Sequence, residues 1–198
     1  MGRVRRLTKQ ELRSVHPAIA KLVSALQDEL EPGTKPAQIE KGVGTLVAFA
    51  ASSVMVIPIR ILFNDPTNAR CRLAVIRRGT SKAEFVALPP EADPVSCRRL
   101  ELVAQADFNH DGVPDFAFSV DGPSNRYNAI LSEGRFYISD STRETYCYAP
   151  TISIFADGPI VAHGSARAVL RAVDDAVRRL GQHALDCWRT GDDKGGPY

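Results

Sequence analysis

The succession of short apolar segments between Val54 and Phe155 limits how this chain can fold more than any other feature of its sequence. Each segment is bounded by Gly, Pro, Asp, Asn or Ser, and each has the length and the β-branched and aromatic content typical of a strand. The segments are V-M-V-I-P-I-R-I-L-F, C-R-L-A-V-I-R-R, A-E-F-V-A-L, R-L-E-L-V-A-Q-A, F-A-F-S-V, N-A-I-L, R-F-Y-I-S and T-I-S-I-F. Connections this short favour antiparallel neighbours, so the sequence predicts a β-meander.

The connections support the same interpretation. The first two segments are joined by N-D-P-T-N-A, in which Asn64, Asp65, Pro66 and Asn68 are turn residues, so these segments are predicted to form a hairpin. Residues 89–94, P-P-E-A-D-P, contain three prolines that cannot donate to a strand ladder. This segment is therefore predicted to be a surface loop.

The N-terminal part has a helical pattern instead. Thr8 and Glu11 form a capping-box pattern, and apolar residues recur at spacings of three and four up to Leu30. Pro17 interrupts the pattern, and a proline inside a helix costs about 3 kcal/mol. We therefore expect a short first turn and then a main helix from about Pro17 to Leu30.

A second helix is predicted near the C-terminus, capped by Ser165 and closed by Gly181. The predicted fold class is α+β, with an antiparallel β-sheet meander and helices at the N- and C-termini. We divide the chain into an N-terminal helical segment at residues 1–35, a single α+β domain at 36–190 and a disordered tail at 191–198.

Residues 42–59 carry no charge, and two interpretations of this stretch stay open. Its length is marginal for a membrane helix, although the basic residues before it suit an orientation that leaves the rest of the chain outside the cytoplasm. Gly, Ser, Thr and Pro58 within it, and its β-branched second half, favour buried strands over a membrane anchor. No ordinary cleavable signal is visible at the start, so the compartment stays open, with a periplasmic or secreted location preferred to a cytoplasmic one.

The four cysteines are widely spaced and include no C-x-x-C pair that would hold zinc or run thiol exchange. They are Cys71, Cys97, Cys147 and Cys187. Cys97 and Cys147 flank the central loop region on predicted strands, so this pair is the preferred disulfide. Buried free thiols are the alternative.

The formal net charge of +2 provides no large field for capturing nucleic acid or an anionic membrane. The local basic excess at the start consists of Arg3, Arg5, Arg6, Lys9 and Arg13, opposed by Glu11. This segment is predicted to be a solvated terminus, with a nucleic-acid or lipid contact as the alternative.

Residues 107–115, D-F-N-H-D-G-V-P-D, have the spacing of a calcium loop. Acidic or amide side chains occupy positions 1, 3, 5 and 9, and Gly112 occupies position 6, where the chain must turn sharply. The candidate metal ligands are Asp107, Asn109, Asp111, Asp115 and the carbonyl of Val113. Oxygen ligands in a flexible loop favour Ca²⁺ over zinc, copper or magnesium. An Asx-rich turn that caps its own backbone is the competing interpretation.

The loop is not an EF-hand, because position 12 is Phe118 instead of Glu and the flanks alternate like strands. Together with its flank, D-F-N-H-D-G-V-P-D-F-A-F resembles one FG-GAP or VCBS-type repeat, whose loop binds calcium in integrin-like propellers. The resemblance covers about a dozen of 198 residues, and His110 stands where those repeats often have Gly. No further copy follows, so the resemblance implies the five calcium ligands and not the propeller fold.

No catalytic motif accompanies the loop: G-x-S-x-G, H-E-x-x-H and phosphate-loop patterns are all missing from the sequence. His163 and Ser165 are disfavoured as base and nucleophile, because residues this close in a helix-entry turn rarely face each other productively. The aromatic residues of the later strands are interpreted as core instead of a recognition surface. They are Tyr127, Phe136, Tyr137, Tyr146 and Tyr148.

Two function classes follow. The favoured one is a non-enzymatic, calcium-stabilised protein-interaction module, such as an envelope, inhibitor or immunity-type protein, whose partner is another protein and not nucleic acid. The alternative is a metal-assisted hydrolase. The lack of a paired general acid, base and nucleophile favours the first class.

Overall fold

The computed structural model describes residues 4–30, 32–33, 35, 37–63, 68–80, 82–89, 92, 96–124, 129–162 and 165–188. The strands are β1 (Val4–Arg6), β2 (Gln38–Lys41), β3 (Thr45–Ala48), β4 (Ser53–Leu62), β5 (Ala69–Arg77), β6 (Ala83–Phe85), β7 (Arg99–Ala106), β8 (Asp115–Ser124), β9 (Ala129–Asp140) and β10 (Thr145–Tyr148). The helices are α1 (Lys9–Ser14), α2 (His16–Leu30), α3 (Pro150–Phe155), α4 (Asp157–Val161) and α5 (Ala166–Leu180), followed by a 3₁₀ turn (Gly181–Leu185). The α+β fold class is confirmed.

The strands divide between two antiparallel sheets instead of forming one meander. The first sheet has the order β1-β3-β4-β5-β6, and β2 pairs with β4 beside β3. The second sheet has the order β10-β9-β8-β7. The predicted hairpin is present as β4 and β5, which pair from Val54↔Arg77 to Leu62↔Ala69. Its turn at residues 64–67 lies outside the described residues.

A cluster of aliphatic and aromatic side chains, the inter-sheet core, fills the space between the two sheets. The first sheet contributes Val47, Val54, Val56, Leu73 and Val75, and the second contributes Phe116, Phe118, Tyr137, Tyr146 and Tyr148. Ring pairs such as Phe118 with Tyr137, whose centroids lie 5.7 Å apart, meet edge to face. The aromatic residues that the structure describes are therefore core, as predicted, whereas Tyr127 lies outside the described residues.

Helices cover the outer face of each sheet, which makes four layers. The capping box of Thr8 and Glu11 starts α1, and the chain bends at Val15 before α2. The apolar side of α2, with Ile19 and Val23, packs on the face of β4 that carries Ile57. On the other side of the molecule, α3 and α4 pack against β9, and α5 packs against β7. Both faces of the central strands of each sheet are thus buried.

The uncharged stretch at residues 42–59 forms β3 and most of β4, as the preferred interpretation predicts. Its side chains alternate between the inter-sheet core and the helix α2, so both faces are apolar. Pro58 is tolerated in this strand because its nitrogen faces the break between β2 and β3, and its carbonyl accepts the Gly42 N–H at 2.8 Å. Within the described ranges, no helix has the length and apolar content needed to cross a membrane.

The prediction of a strand at T-I-S-I-F is wrong, since α3 spans Pro150–Phe155. Helical geometry buries Ile152 and Ser153 on adjacent positions, whereas a strand would point them in opposite directions. The Ser153 hydroxyl donates to the Ala149 carbonyl at 2.7 Å and accepts from the Phe136 N–H at 2.9 Å. At the C-terminus, the predicted Ser165 cap and Gly181 terminus of α5 are confirmed. The predicted tail at 191–198 lies outside the described residues.

The predicted Cys97–Cys147 disulfide is wrong, and so is the alternative of free thiols. Cys71 is joined to Cys97, and Cys147 to Cys187, with Cα–Cα distances of 5.7 and 5.4 Å. The Cys97 N–H donates to the Ala69 carbonyl at 2.8 Å, which brings Cys97 beside β5 and Cys71. Cys147 packs on the helical side of the second sheet, so that sheet separates it from Cys97.

Replacing Gly134 with Ala is expected to lower the free energy of unfolding by about 1 to 3 kcal/mol, because a Cβ there overpacks the contact between β9 and α4. The added atom would lie 2.8 Å from Ile160 Cδ1 and 3.1 Å from Asp157 Cα. Urea unfolding monitored by circular dichroism measures the effect. Gly122→Ala on β8 is the matched control, since among the described residues its Cβ would meet only the Ser96 carbonyl oxygen, at 3.5 Å. Equal losses in the two variants would contradict the described packing of α4.

Candidate calcium loop

The loop at residues 107–114 connects β7 to β8 at one end of the second sheet. The strands are antiparallel and still paired where the loop begins, because Ala106 lies opposite Asp115. The side chains of Phe108 and Val113 are buried, Phe108 under the helical layer and Val113 in the inter-sheet core. Because these two apolar side chains are buried, they fix the position of the polar loop residues at the end of the sheet.

Two residues with positive φ give the loop its curl. His110 has φ 59° and Gly112 has φ 84°, both in the left-handed region. Glycine adopts this region without cost, whereas histidine does so with some strain. The side chain of His110 is exposed to solvent.

Three side-chain oxygens of the loop accept hydrogen bonds from two consecutive backbone N–H groups, those of Asp111 and Gly112. Asp107 Oδ1 and Asn109 Oδ1 both accept the Asp111 N–H, at 3.0 and 3.1 Å. Asp107 Oδ2 accepts the Gly112 N–H at 3.0 Å. The structure therefore brings the predicted ligands at positions 1 and 3 together around one backbone N–H.

Asp111 faces both the loop and the neighbouring strand β9. Its Oδ1 accepts the Val113 N–H at 2.8 Å, and its Oδ2 accepts the Ser139 hydroxyl at 2.9 Å. The Asn109 amide nitrogen also donates to Ser139, at 3.2 Å to both the carbonyl and the hydroxyl oxygen. Ser139 thus joins the candidate ligands at positions 3 and 5.

Asp115 is fully buried and accepts three backbone N–H groups. Its Oδ1 accepts from Ser139 at 2.6 Å, and its Oδ2 accepts from Phe108 at 2.7 Å and Asn109 at 3.1 Å. Burial raises the pKa of the Asp115 carboxyl to about 7, while these N–H groups act in the opposite direction by favouring the ionised form. A nearby cation would favour the ionised form further.

Tyr146 links the loop to the inter-sheet core. Its hydroxyl donates to the Pro114 carbonyl at 2.8 Å, and its ring meets those of Phe116 and Phe49 edge to face. Burial raises the pKa of the Tyr146 hydroxyl, and the charges of Asp115 and Asp111 raise it further, so this group stays a proton donor.

The observed hydrogen bonds from backbone N–H groups to Asp and Asn side chains are those of an Asx-rich turn, which is the competing interpretation of the sequence. Within the part of the chain that the structure describes, no three or more His, Cys, Asp and Glu side chains are grouped to hold a metal. The two interpretations are compatible, because an ionised carboxylate has about four lone-pair sites and Asp107 uses two of them. Calcium binding by Asp107, Asn109, Asp111, Asp115 and the Val113 carbonyl stays a prediction.

Sequence reasoning missed Ser139 and the role of Tyr146. No spacing along the chain connects residue 139 to the loop, since the contact arises from the pairing of β8 with β9. That register sets Phe116 opposite Tyr137, which brings Ser139 alongside the start of β8. Only a correct prediction of the strand register would reveal the contact.

Outside the loop, Arg135 is a buried charge that the sequence did not single out. It is 1% exposed on the inner face of β9, and its guanidinium donates to Glu133 Oε1 at 2.7 and 3.0 Å. Glu133 is about half exposed, so this ion pair extends from the inter-sheet core to the solvent.

At the N-terminus, Arg5 is paired with Glu11 through two hydrogen bonds. His163 lies outside the described residues.

Replacing Asp115 with Ala is expected to lower the free energy of unfolding by at least about 3 kcal/mol, because three buried N–H groups lose their acceptor. The control is Asp121→Ala on the same strand, where a half-buried carboxylate loses one bond, from the Ser132 hydroxyl. Urea unfolding at pH 8 in chelator measures both. Similar losses at the two positions would contradict the special role of Asp115.

Replacing Gly112 with Ala is expected to cost about 1 to 2 kcal/mol through backbone strain alone, since no heavy atom of the described residues lies within 4 Å of the added Cβ. Gly112→Asn is the matched variant and should cost less, because asparagine adopts positive φ more readily than alanine. Thermal unfolding in chelator gives the ranking. An alanine variant as stable as wild type would show that the loop does not need the left-handed conformation at this residue.

Comparisons with known proteins give no further guide to the site. The chain was compared with protein families, with curated proteins and with solved structures, and none of them matched.

Proposed function

We propose that this protein is a non-enzymatic interaction module stabilised by calcium, and that Asp107, Asn109, Asp111, Asp115 and the Val113 carbonyl bind the ion. The observation that carries this proposal is the convergence of the Asp107 and Asn109 side-chain oxygens on the Asp111 N–H within a tightly curled loop. Carboxylate, amide and carbonyl oxygens are the ligands that Ca²⁺ prefers.

The charges of the loop support a cation at this place. Asp107, Asp111 and Asp115 lie within one nine-residue segment, and carboxylates held close together repel one another when ionised. The nearest basic group in the sequence is His110, whose side chain is exposed. A divalent ion would relieve the repulsion and would favour ionisation of the buried Asp115.

The affinity is proposed to be modest. The residue at position 12 is Phe118, which is buried in the inter-sheet core and has no oxygen to offer. Sites with fewer charged ligands have dissociation constants on the order of 10⁻⁴ to 10⁻³ M, a range suited to calcium-rich surroundings outside the cytoplasm. Two disulfides support the same location, because such bonds persist in oxidising compartments.

A binding role is preferred to hydrolysis because of the chemistry of the described surface. A shallow polar pocket lies where the ends of β4 and β5 approach Arg143 and Glu144. Its carboxylates are already engaged, since Glu144 accepts from the Ser52 hydroxyl at 2.7 Å and Glu84 accepts from the Thr145 hydroxyl. Among the described residues that line this pocket there is no serine, cysteine or histidine. We propose another protein as the partner, contacted at the loop-bearing end.

Calcium is expected to raise the melting temperature of the protein. A dissociation constant on the order of 10⁻⁴ to 10⁻³ M gives about 1.4 to 2.7 kcal/mol of stabilisation at a calcium concentration of about 10 mM, or about 3 to 10 °C for a chain of this size. Differential scanning calorimetry in calcium and in chelator measures the shift. Identical melts under the two conditions would contradict the proposal.

A matched pair of variants separates calcium binding from loop folding. Asp111→Asn removes a charge while its Oδ1 can still accept from Val113, and its amide nitrogen can donate to the Ser139 hydroxyl oxygen where Oδ2 accepted from it. The melt in chelator should therefore change little and the calcium-dependent shift should shrink. Asp121→Asn, at the far end of β8 from the loop, should keep the full shift. A full shift in the Asp111 variant would mean that calcium acts elsewhere.

A further inference from the structure

We propose that the Cys147–Cys187 disulfide is a reducible latch, which holds the C-terminal segment on the edge of the second sheet and opens while Cys71–Cys97 stays closed. The inference concerns the C-terminal segment and does not depend on calcium binding.

The latch closes over an edge strand. Cys147 lies in β10, which forms one edge of the second sheet. Cys187 follows the 3₁₀ turn, and the next residue, Trp188, donates its N–H to the Tyr148 carbonyl at 2.7 Å. The Trp188 side chain packs against the inter-sheet core. Disulfide, hydrogen bond and indole together cover the end of β10.

The segment that the latch holds is short. Ala184 is fully buried and Leu185 packs beside it under the helical side of the second sheet, so the chain is anchored independently up to residue 185. Asp186 adds an exposed contact to His183, 3.0 Å from its Nδ1. Opening the disulfide therefore releases residues 186–188 and leaves the three helices of this layer in place.

The two disulfides differ in their access to solvent. Cys71 and Cys97 are each 1% exposed and form a buried cluster with Val120. Cys147 and Cys187 are each only partly buried. Thiol–disulfide exchange requires a thiolate to reach one of the two sulfur atoms, so the more accessible bridge reacts first.

The co-reactant is a dithiol, either a small molecule or a dithiol reductase. One of its thiolates attacks a sulfur of the Cys147–Cys187 bridge, which breaks the S–S bond and forms a mixed disulfide. Its second thiol then displaces the protein sulfur. The protein gains two electrons and two protons as two thiols, and the dithiol becomes a disulfide.

Opening the latch changes the surface at one place. The Tyr148 carbonyl loses its N–H donor, and the edge of β10 becomes available to an added strand. Trp188 moves from the inter-sheet core into water. The reduced and oxidised forms thus differ in an exposed strand edge while sharing the same four layers.

The chain contains one tryptophan, so the emission of Trp188 reports the latch directly. The protein is treated with graded dithiothreitol, free thiols are alkylated, and the labelled cysteines are identified by peptide mass spectrometry. We expect Cys147 and Cys187 to be labelled about tenfold faster than Cys71 and Cys97 or more. Trp188 emission should shift to longer wavelength at the same dithiothreitol concentration, with unchanged far-ultraviolet circular dichroism.

A double variant, Cys147→Ser with Cys187→Ser, provides the matched control. Its emission should be red-shifted without reductant and should not shift further when dithiothreitol is added at the concentration that opens the wild-type latch. Equal labelling of all four cysteines, together with loss of circular dichroism, would overturn the proposal because reduction would then require global unfolding. Opening of Cys147–Cys187 with unchanged Trp188 emission would overturn it as well.

Discussion

The burial of both faces of the central strands of the two sheets is the constraint on which the rest of this structure depends. Alternate residues of β4 from Val54 to Ile57 point to the inter-sheet core and to α2, so this part of the strand has no face for polar side chains. The same holds for β8 and β9 between the core and the C-terminal helices. The helices at the two ends of the chain are therefore needed to bury the outer faces of these strands. The same constraint explains why the uncharged residues 42–59 form two strands.

The polar loop is held by this apolar frame. Asp115 begins β8 and gathers N–H groups from the loop and from β9, while Tyr146 supports Pro114 from the core. The hydrogen bonds explain how a short loop keeps three acidic residues in place. They also mean that cation binding and loop stability act through the same oxygens, since each carboxylate both caps backbone and offers its remaining lone pairs.

Local signals in the sequence predicted the elements that depend on local chemistry. Thr8 with Glu11, the bend near Pro17, the β4–β5 hairpin and the Ser165 cap each need only a few neighbouring residues. The division into two sheets, the helix at Pro150–Phe155 and the disulfide pairs depend on which distant segments meet. A residue alternation such as T-I-S-I-F fits a strand or a short helix, and only its docking beside Phe136 decides between them.

The same distinction applies to the candidate site. The spacing of residues 107–115 identified which side chains share the loop, and the structure brings Asp107, Asn109 and Asp111 together as that spacing implies. The contribution of Ser139 depends on the pairing of β8 with β9, and Ser139 lies 24 residues after Asp115, so no local sequence pattern predicts it.

Pro58 has a consequence for how the first sheet assembles. Pro58 has no N–H to donate, and it lies opposite the break between β2 and β3, next to Gly42. A proline is tolerated at this break. Sliding β4 by two residues would keep its side chains on the correct faces, yet it would press the proline ring against a carbonyl that needs a donor. Pro58 thereby disfavours shifted registers of β4 that the hydrophobicity of its side chains alone would allow.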